Sequence, residues 1–364
     1  MQHLVPWLRL QLTPGLGRVG MIRLIERFKT PEQAIDNAGD WHLAGLRNGL
    51  ARAIPASTDS NVHNACERLN DMQGRLLTIW DADYPHRLRQ ISDPPALLYC
   101  CGELLPAPAL AIVGTRHPTD FGRFFTRKLA GEIAAAGIVI VSGMARGIDS
   151  AAHFGALDAA GKTVAVLGCG IDRIYPPENT GLYRKIVDNG ALLSEYPPGS
   201  DPLPRHFPGR NRIISALSLG TLVIEACRDS GSLITAEFAL EQGRDVMAVP
   251  GGVDRPTSYG PNLLIKQGAH PITEAEEVIQ ILGLSGCQAG CKADLKTDVI
   301  DLPEPAGRVL AALGLTPRHS DELTLESGLT PSELSVILLH LELQGYAEKL
   351  PGGRYVRGRR ALQP

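Results

Sequence analysis

ALAIVGTRHPTDFGRFFTRKLAGEIAAAGIVIVSGMARG, residues 109–147, is the stretch whose reading decides the fold. Two short runs of small and β-branched apolar residues, 109–114 and 138–143, flank a segment, 122–137, whose apolar residues recur at helical spacing. Four further runs continue the pattern: TVAVLG (163–168), ALLSEY (191–196), TLVIEA (221–226) and DVMAVPG (245–251). Continuous apolar strands alternating with helices predict a parallel sheet covered on both faces, an α/β doubly wound Rossmann-like core. Ligands of such sheets bind beyond the C-terminal ends of the strands, so the residues just past each run are the candidates for function.

Outward from this core the pattern changes twice. Residues 1–75 read as short helices: LTPGLGRVGMIRLIERF places Val19, Ile22, Leu24, Ile25 and Phe28 at roughly helical spacing after a Pro-Gly-Leu-Gly turn. The stretch resembles a small SAM-like or helix-hairpin-helix element, in which Arg18 and Arg23 leave a phosphate contact open beside plain helical packing. The Rossmann-like domain is expected over 76–283, a Gly-, Cys- and Asp-rich linker over 284–302, and a C-terminal domain over 303–364. That last domain shows three short helices, with Ser320 and Thr330 as N-caps and Pro331 at a first helical position. An AEKL-PGG-RYVR hairpin follows, completing a winged-helix pattern. Its candidate recognition helix, 331–344, carries Glu333, His340 and Glu342 but no Lys or Arg, which favours protein interaction over duplex binding; RGRR at 357–360 is the opposing sign.

Composition limits the function classes. The chain of 364 residues is 44% hydrophobic and 21% charged with a net charge of −3, so any polyanion site is local rather than a general basic coat. No apolar run approaches the ~20 residues of a membrane span, and MQHLVPWLRL lacks the order of a signal peptide; the expected location is the cytoplasm. Seven cysteines without scaffold spacing fit a reducing compartment and buried thiols. Cys287 and Cys291 are spaced like half a zinc site, but no second pair completes them, so neither metal nor cofactor is expected.

The loops past the strands carry the chemistry. Gly114-Thr115-Arg116 replaces a Gly-rich dinucleotide turn with a fixed cation, either a phosphate ligand or a partner of a nearby acid. Ser142 and Gly143, with Arg146 and Gly147, sit where exposed N–H groups can form an anion nest, Asp149 caps or orients, and His153 packs within a helix. Ser230, Gly231, Ser232 and Thr235 precede or open another helix, with Ser232 a possible N-cap. FPGRNRIISALS (207–218) places Arg205, Phe207, Arg210, Asn211 and Arg212 in a Pro/Gly-rich loop running into a helix-like segment, and between Arg205 and Cys227 the sole acid is Glu225. Several anion loops along one sheet edge describe a track for a phosphate chain. Phe207 either stacks a base or packs in the core. GALDAAGKT (155–163) has the wrong spacing for a P-loop and closes a helix instead of opening one.

GTRHPTDFG, SGMARGIDSAAH, AVLGCGIDRIYPPEN, LLSEYPPG, FPGRNRIISALS, EACRDSGSLITAEFAL and VPGG, in this order, resemble the signature of the DprA (Smf) family over roughly residues 80–270. The resemblance implies a homodimeric, non-enzymatic protein that binds single-stranded DNA, protects incoming strands in natural transformation and loads RecA onto them. It implies Arg116 as phosphate ligand, Arg205 and Phe207 as basic and stacking contacts, and Arg210, Asn211 and Arg212 as the motif core. Pro204 stands where some members have another basic residue. Two rival readings remain. One is a nucleotide enzyme similar to the lysine-decarboxylase-like phosphoribohydrolases, with Glu195, Glu225 and Glu237 as possible carboxylates; Val253-Asp254-Arg255 after Pro250-Gly251-Gly252 departs from their PGGxGTxxE motif. The other is a transcriptional regulator acting through residues 303–364.

Overall fold

The computed structural model of the chain describes residues 3–284, 304–314 and 317–358. They form two compact units. The first begins with four helices, α1 (Leu4–Gln11), α2 (Arg18–Phe28), α3 (Pro31–Asp36) and α4 (Ser60–Asp71). Then come β1 (Arg75–Thr78), α5 (His86–Arg89), β2 (Leu97–Gly102), β3 (Ala109–Val113), α6 (Asp120–Ala135), β4 (Val139–Ser142), α7 (Ile148–Asp158), β5 (Thr163–Leu167) and α8 (Thr180–Asn189). The unit closes with β6 (Gly190–Ser194), α9 (His206–Leu217), β7 (Gly220–Val223), α10 (Gly231–Glu241), β8 (Asp245–Ala248), α11 (Tyr259–Lys266), β9 (His270–Pro271) and α12 (Ala275–Ile281).

All six expected strands are present as β3 to β8. The sheet has nine strands in the order β1-β2-β6-β5-β4-β3-β7-β8-β9. It is parallel from β6 to β9, with β2 and β1 added antiparallel at one edge. Because side chains alternate across a strand, Leu98, Cys100, Val164 and Val166 enter one apolar layer while Tyr99, Cys101, Ala165 and Leu167 enter the other. After β6 the chain returns to lay β7 beside β3, so β3 and β7 diverge in connection and leave a crevice beyond their C-terminal ends.

The N-terminal helices share the core of the sheet. Leu4 and Leu8 of α1 and Leu69 of α4 pack with Tyr99 and Cys101, and Leu24 and Trp41 pack with Ala96 and Leu97. On α2 the inward positions are Met21, Leu24 and Ile25; Val19, expected on that face, is 52% exposed because the i, i+3, i+4 stripe starts two residues later. Arg18, open to a phosphate role in the sequence, is paired with Asp93.

The second unit holds α13 (Glu304–Ala312), β10 (Arg318–His319), α14 (Ser320–Ser327), α15 (Pro331–Leu343), β11 (Ala347–Leu350) and β12 (Arg354–Arg357). Its small antiparallel sheet runs β10-β12-β11, and Val309, Leu323, Leu334, Leu338 and Leu341 form its core. This is the expected winged-helix arrangement. Thr330 caps α15 reciprocally with Glu333, with Pro331 at the first position. Ser320 is not the cap of α14: it is the first helical residue, and His319 Nδ1 accepts the Asp321 N–H instead. Nearly all of the expected linker, with Cys287 and Cys291, and the last two residues of RGRR lie outside the described residues. Of the five described cysteines, Cys66, Cys100, Cys101 and Cys169 are buried and Cys227 is exposed.

Candidate nucleic-acid interface

At the β3/β7 crevice lies a cleft of about 630 Å³, walled by the loops after β3, β4, β5, β6 and β7. Its floor needs glycine: a Cβ on Gly114 would fall 2.6 Å from Ile148 and 2.9 Å from the Glu225 carbonyl. The Thr115 N–H donates to that same carbonyl at 2.7 Å, and the Ile148 N–H donates back to the Thr115 carbonyl at 3.2 Å. This stitching turns Arg116 outward into the cleft, where its guanidinium lies 5.6 Å from the centroid of the Phe207 ring. No carboxylate pairs with Arg116 among the described residues.

Phe207 is half-buried, which reconciles its two readings: its ring edge packs on Gly168 while it lines the cleft, with Tyr175 at 5.6 Å and Arg210 at 5.9 Å from its centroid. Tyr175, absent from the sequence candidates, is an aromatic residue beyond the end of β5 in the quoted GIDRIYPPEN run; position past a strand was the signal that marks it.

The FPGRNR stretch is not a loop. α9 already begins at His206, because Pro208 in the first turn lacks only an N–H that would have no intrahelical partner there. Its motif residues work as a three-way clamp. Arg210 is buried and donates from Nη1 to the carbonyls of Gly143, at 2.7 Å, and Val166, joining the ends of β4 and β5. A Cβ on Gly143 would meet that guanidinium at 2.5 Å, so the glycine makes room for it. Asn211 accepts from Arg210 Nε and donates to the Gly231 carbonyl at 3.2 Å, holding the start of α10. Arg212 points away from the cleft, with Nη2 2.7 Å from both Glu195 oxygens and Nε 3.3 Å from Asp93.

The remaining candidates divide in the same way. Ser230, Gly231, Ser232 and Thr235 line the cleft at the start of α10, where the partial positive charge of a helix N-terminus favours anions. Ser230, and not Ser232, is the N-cap: its Oγ accepts from the Ser232 N–H and lies 2.7 Å from the Ser232 hydroxyl. Ser142 is buried and donates to the Ile112 carbonyl at 2.6 Å. Arg146 pairs with Glu178, and Gly147 takes a φ of +78° that brings it against the Thr115 carbonyl. Arg205 is exposed beside the Arg212 cluster, outside the cleft. Asp149 accepts from the Gly143 and Ala145 N–H groups at 3.2 and 3.3 Å; burial pushes its carboxyl up, against the opposing pull of Arg210 and these donors. Burial in turn presses Arg210 down, opposed by Asp149.

Cations, hydroxyls, a helix N-terminus and paired aromatics at the switch point of a doubly wound sheet, on a chain that also carries a winged-helix unit, are the parts found in the class of nucleic-acid-binding proteins. Residues 75–283 match the family described as DNA recombination-mediator protein A, and residues 295–353 match the DprA winged helix domain. The chain belongs to the DprA (Smf) family. It is 38% identical to Protein Smf of Escherichia coli K12 over 98% of this chain and 96% of that one. Its fold matches the X-ray structure of DprA from Streptococcus pneumoniae with a TM-score of 0.66 at 37% identity, covering 75% of this chain and 95% of that one. It also matches DprA from Helicobacter pylori, a structure described as showing a single-stranded DNA binding mode, with a TM-score of 0.53 at 34% identity, covering 58% and 97%. No helix among the described residues is long and apolar enough to cross a membrane.

Proposed function

We propose that the chain binds single-stranded DNA along the C-terminal edge of its sheet, protects incoming strands in natural transformation and recombination, and loads RecA onto them, as a cytoplasmic homodimer and without catalysis. The observation that carries DNA binding is Arg116: a guanidinium with no carboxylate partner among the described residues, seated beside an aromatic face at the switch point, is the combination that takes a phosphate and its base together. In this reading Arg116, Phe207, Gly114, Thr115, Ser230, Gly231, Ser232 and Thr235 meet the strand, and Arg205 extends the path past the start of α9. Arg210, Asn211, Arg212, Ser142, Gly143 and Gly147 act by holding those loops, and Arg146 contributes only where Glu178 releases it. The binding mode described for the Helicobacter pylori relative supports this reading.

The nucleotide-enzyme alternative finds less support. Glu195 is taken up by Arg212, Glu225 is buried past the end of β7, Glu237 is exposed on α10, and none of the three lines the cleft. The carboxylates that do line it are Asp149, already accepting two N–H groups, and Asp229.

The test is fluorescence anisotropy of labelled single-stranded and duplex oligonucleotides at two salt concentrations. Preference for the single strand, weakening with salt and weakened further by Arg116→Ala, is expected, since each phosphate contact contributes a salt slope of about −0.7 on single strands. Salt-independent binding, or binding untouched by Arg116→Ala, overturns the reading. Light scattering reports the dimer. RecA filament formation on coated single strands, with and without the protein, reports loading.

A further inference from the structure

We infer that Arg228 and Tyr259 form a second nucleotide subsite, at the β8 side of the cleft, so that a strand entering past Phe207 crosses the sheet edge instead of ending there. This rests on the single-stranded DNA reading above and extends it.

Arg228 stands between Cys227 and Asp229, both of which line the cleft, and its guanidinium lies 4.6 Å from the centroid of the Tyr259 ring. Both side chains are exposed, Tyr259 by 38%, and no carboxylate pairs with Arg228 among the described residues. The acids of the two adjoining loops are the buried Glu225, Asp229 and Asp254. An exposed arginine on an aromatic face gains little as a stability device. The same pair offers a stacking surface with a phosphate ligand beside it, which repeats the chemistry of Arg116 on Phe207.

The fold holds this pair in place. The Ala226 N–H donates to the Thr257 carbonyl at 2.7 Å, and the Gly260 N–H donates to the Ala226 carbonyl at 2.8 Å. A Cβ on Gly260 would lie 2.8 Å from Ala226, so glycine is what lets the loop after β7 dock on the start of α11. Asn262 donates to the Gly251 carbonyl at 2.9 Å and accepts from its N–H at 3.2 Å, tying the loop after β8 to the same helix. Arg255 is exposed in that loop.

Distance sets the expected footprint. From the loop after β5, which carries Tyr175, to the loop after β8 the order β5-β4-β3-β7-β8 makes four inter-strand steps. At about 4.8 Å each these span about 19 Å, roughly five or six nucleotides at a stacked spacing of about 3.4 Å.

The test titrates deoxythymidine oligonucleotides, from about three to about twenty nucleotides long, against the full chain and its Arg116→Ala, Arg228→Ala, Tyr259→Ala and Tyr259→Phe variants. Arg228→Ala and Tyr259→Ala are expected to bind long oligonucleotides about ten-fold more weakly, to match the unmutated chain on the shortest ones, and to flatten its rise of affinity with length. Tyr259→Phe keeps the rise. A 2-aminopurine base stepped along the oligonucleotide is quenched at a position that Tyr259→Ala releases. If Arg116→Ala weakens binding while Arg228→Ala and Tyr259→Ala match the unmutated chain at every length, the subsite is overturned and the DNA reading stands. A loss equal at all lengths also overturns it, as a general structural effect. Absence of salt-sensitive single-strand binding by the unmutated chain removes the DNA reading itself.

Discussion

The two faces of the first turns of α9 use arginine in opposite ways. On one, Arg210 and Phe207 adjoin a cleft where Arg116 pairs with no acid among the described residues. On the other, Arg212 and Arg18 are matched by Glu195 and Asp93. Burial pushes the Asp93 carboxyl up, yet Arg18 and Arg212 together hold it below the usual range. Basic residues a few positions apart therefore serve different ends, and the partner decides which: a matched cation holds loops together, and an unmatched one at a strand end is available to a phosphate.

The largest expected effect concerns the buried side of this contrast and acid. Thr163 gives its hydroxyl proton to the Ile140 carbonyl at 2.7 Å, so His153 Nδ1, 2.7 Å from the same oxygen, is the protonated nitrogen. Its buried Nε2 has no hydrogen-bond partner among the described residues. Burial first, and the Arg210 charge second, push the imidazole down to about 3. As pH falls below about 6.5 the unfolded chain takes up this proton while the folded one does not. Stability therefore declines toward pH 3, by at most about 1.4 kcal/mol per pH unit from this residue. His153→Asn should flatten the upper part of that decline in urea titrations at stepped pH. An unchanged slope would mean that His153 is reached by solvent and that this face is less closed than the contrast requires.

Next in size is removal of the matched cation. Arg212→Ala removes the ion-pair partner of Glu195 and leaves Asp93 paired with Arg18, and should cost about 2–3 kcal/mol of stability, below the ~3–5 kcal/mol of fully enclosed pairs because both carboxylates are partly exposed. Single-strand affinity per folded molecule should stay within about two-fold. Arg116→Ala should do the reverse, with an unchanged midpoint of unfolding and weakened binding. A variant that moves both quantities together would break the division between the two faces.

How far the sequence went follows from the same division. Strands, the switch-point edge and the winged helix were legible because each is a local pattern: apolar runs of strand length, helical spacing between them, a Thr-Pro start at Thr330. The strand-end loops were legible as a set. What local pattern could not tell was which arginine meets an acid, since Arg212 finds Asp93 across more than a hundred positions of chain and Arg146 finds Glu178 across thirty-two. The same blindness hid Tyr175 and the Arg228–Tyr259 pair, which become neighbours of the cleft only when sheet order is known. The helical start at His206 was hidden for another reason: Pro208 and Gly209 read as a turn unless the helix is placed so that the proline falls in its first turn.

Within the cleft, Phe207→Ala should weaken single-strand binding by about ten-fold, the loss of one base–aromatic stack. Phe207→Tyr should retain most of it. Equal loss in both would assign the ring to packing on Gly168 and remove it from the ligand side of the comparison.

The smallest effect is the most discriminating one. Arg205 precedes α9 and is exposed beside the Arg212 cluster, yet has no acid partner among the described residues. Partner, not neighbourhood, decides the role of a cation here, so Arg205 belongs with Arg116 despite sitting on the matched side. Arg205→Ala should lower affinity only a few-fold, reduce the slope of log affinity against log salt by about 0.7, and leave stability within about 0.5 kcal/mol. Measured over a salt series, an unchanged slope would place Arg205 outside the strand's path and confine the phosphate contacts to the cleft and the β8 side. A full unit of slope lost together with stability would instead tie Arg205 to the Glu195 cluster, and the rule that the partner decides would need the electrostatic field of the whole cluster in its place.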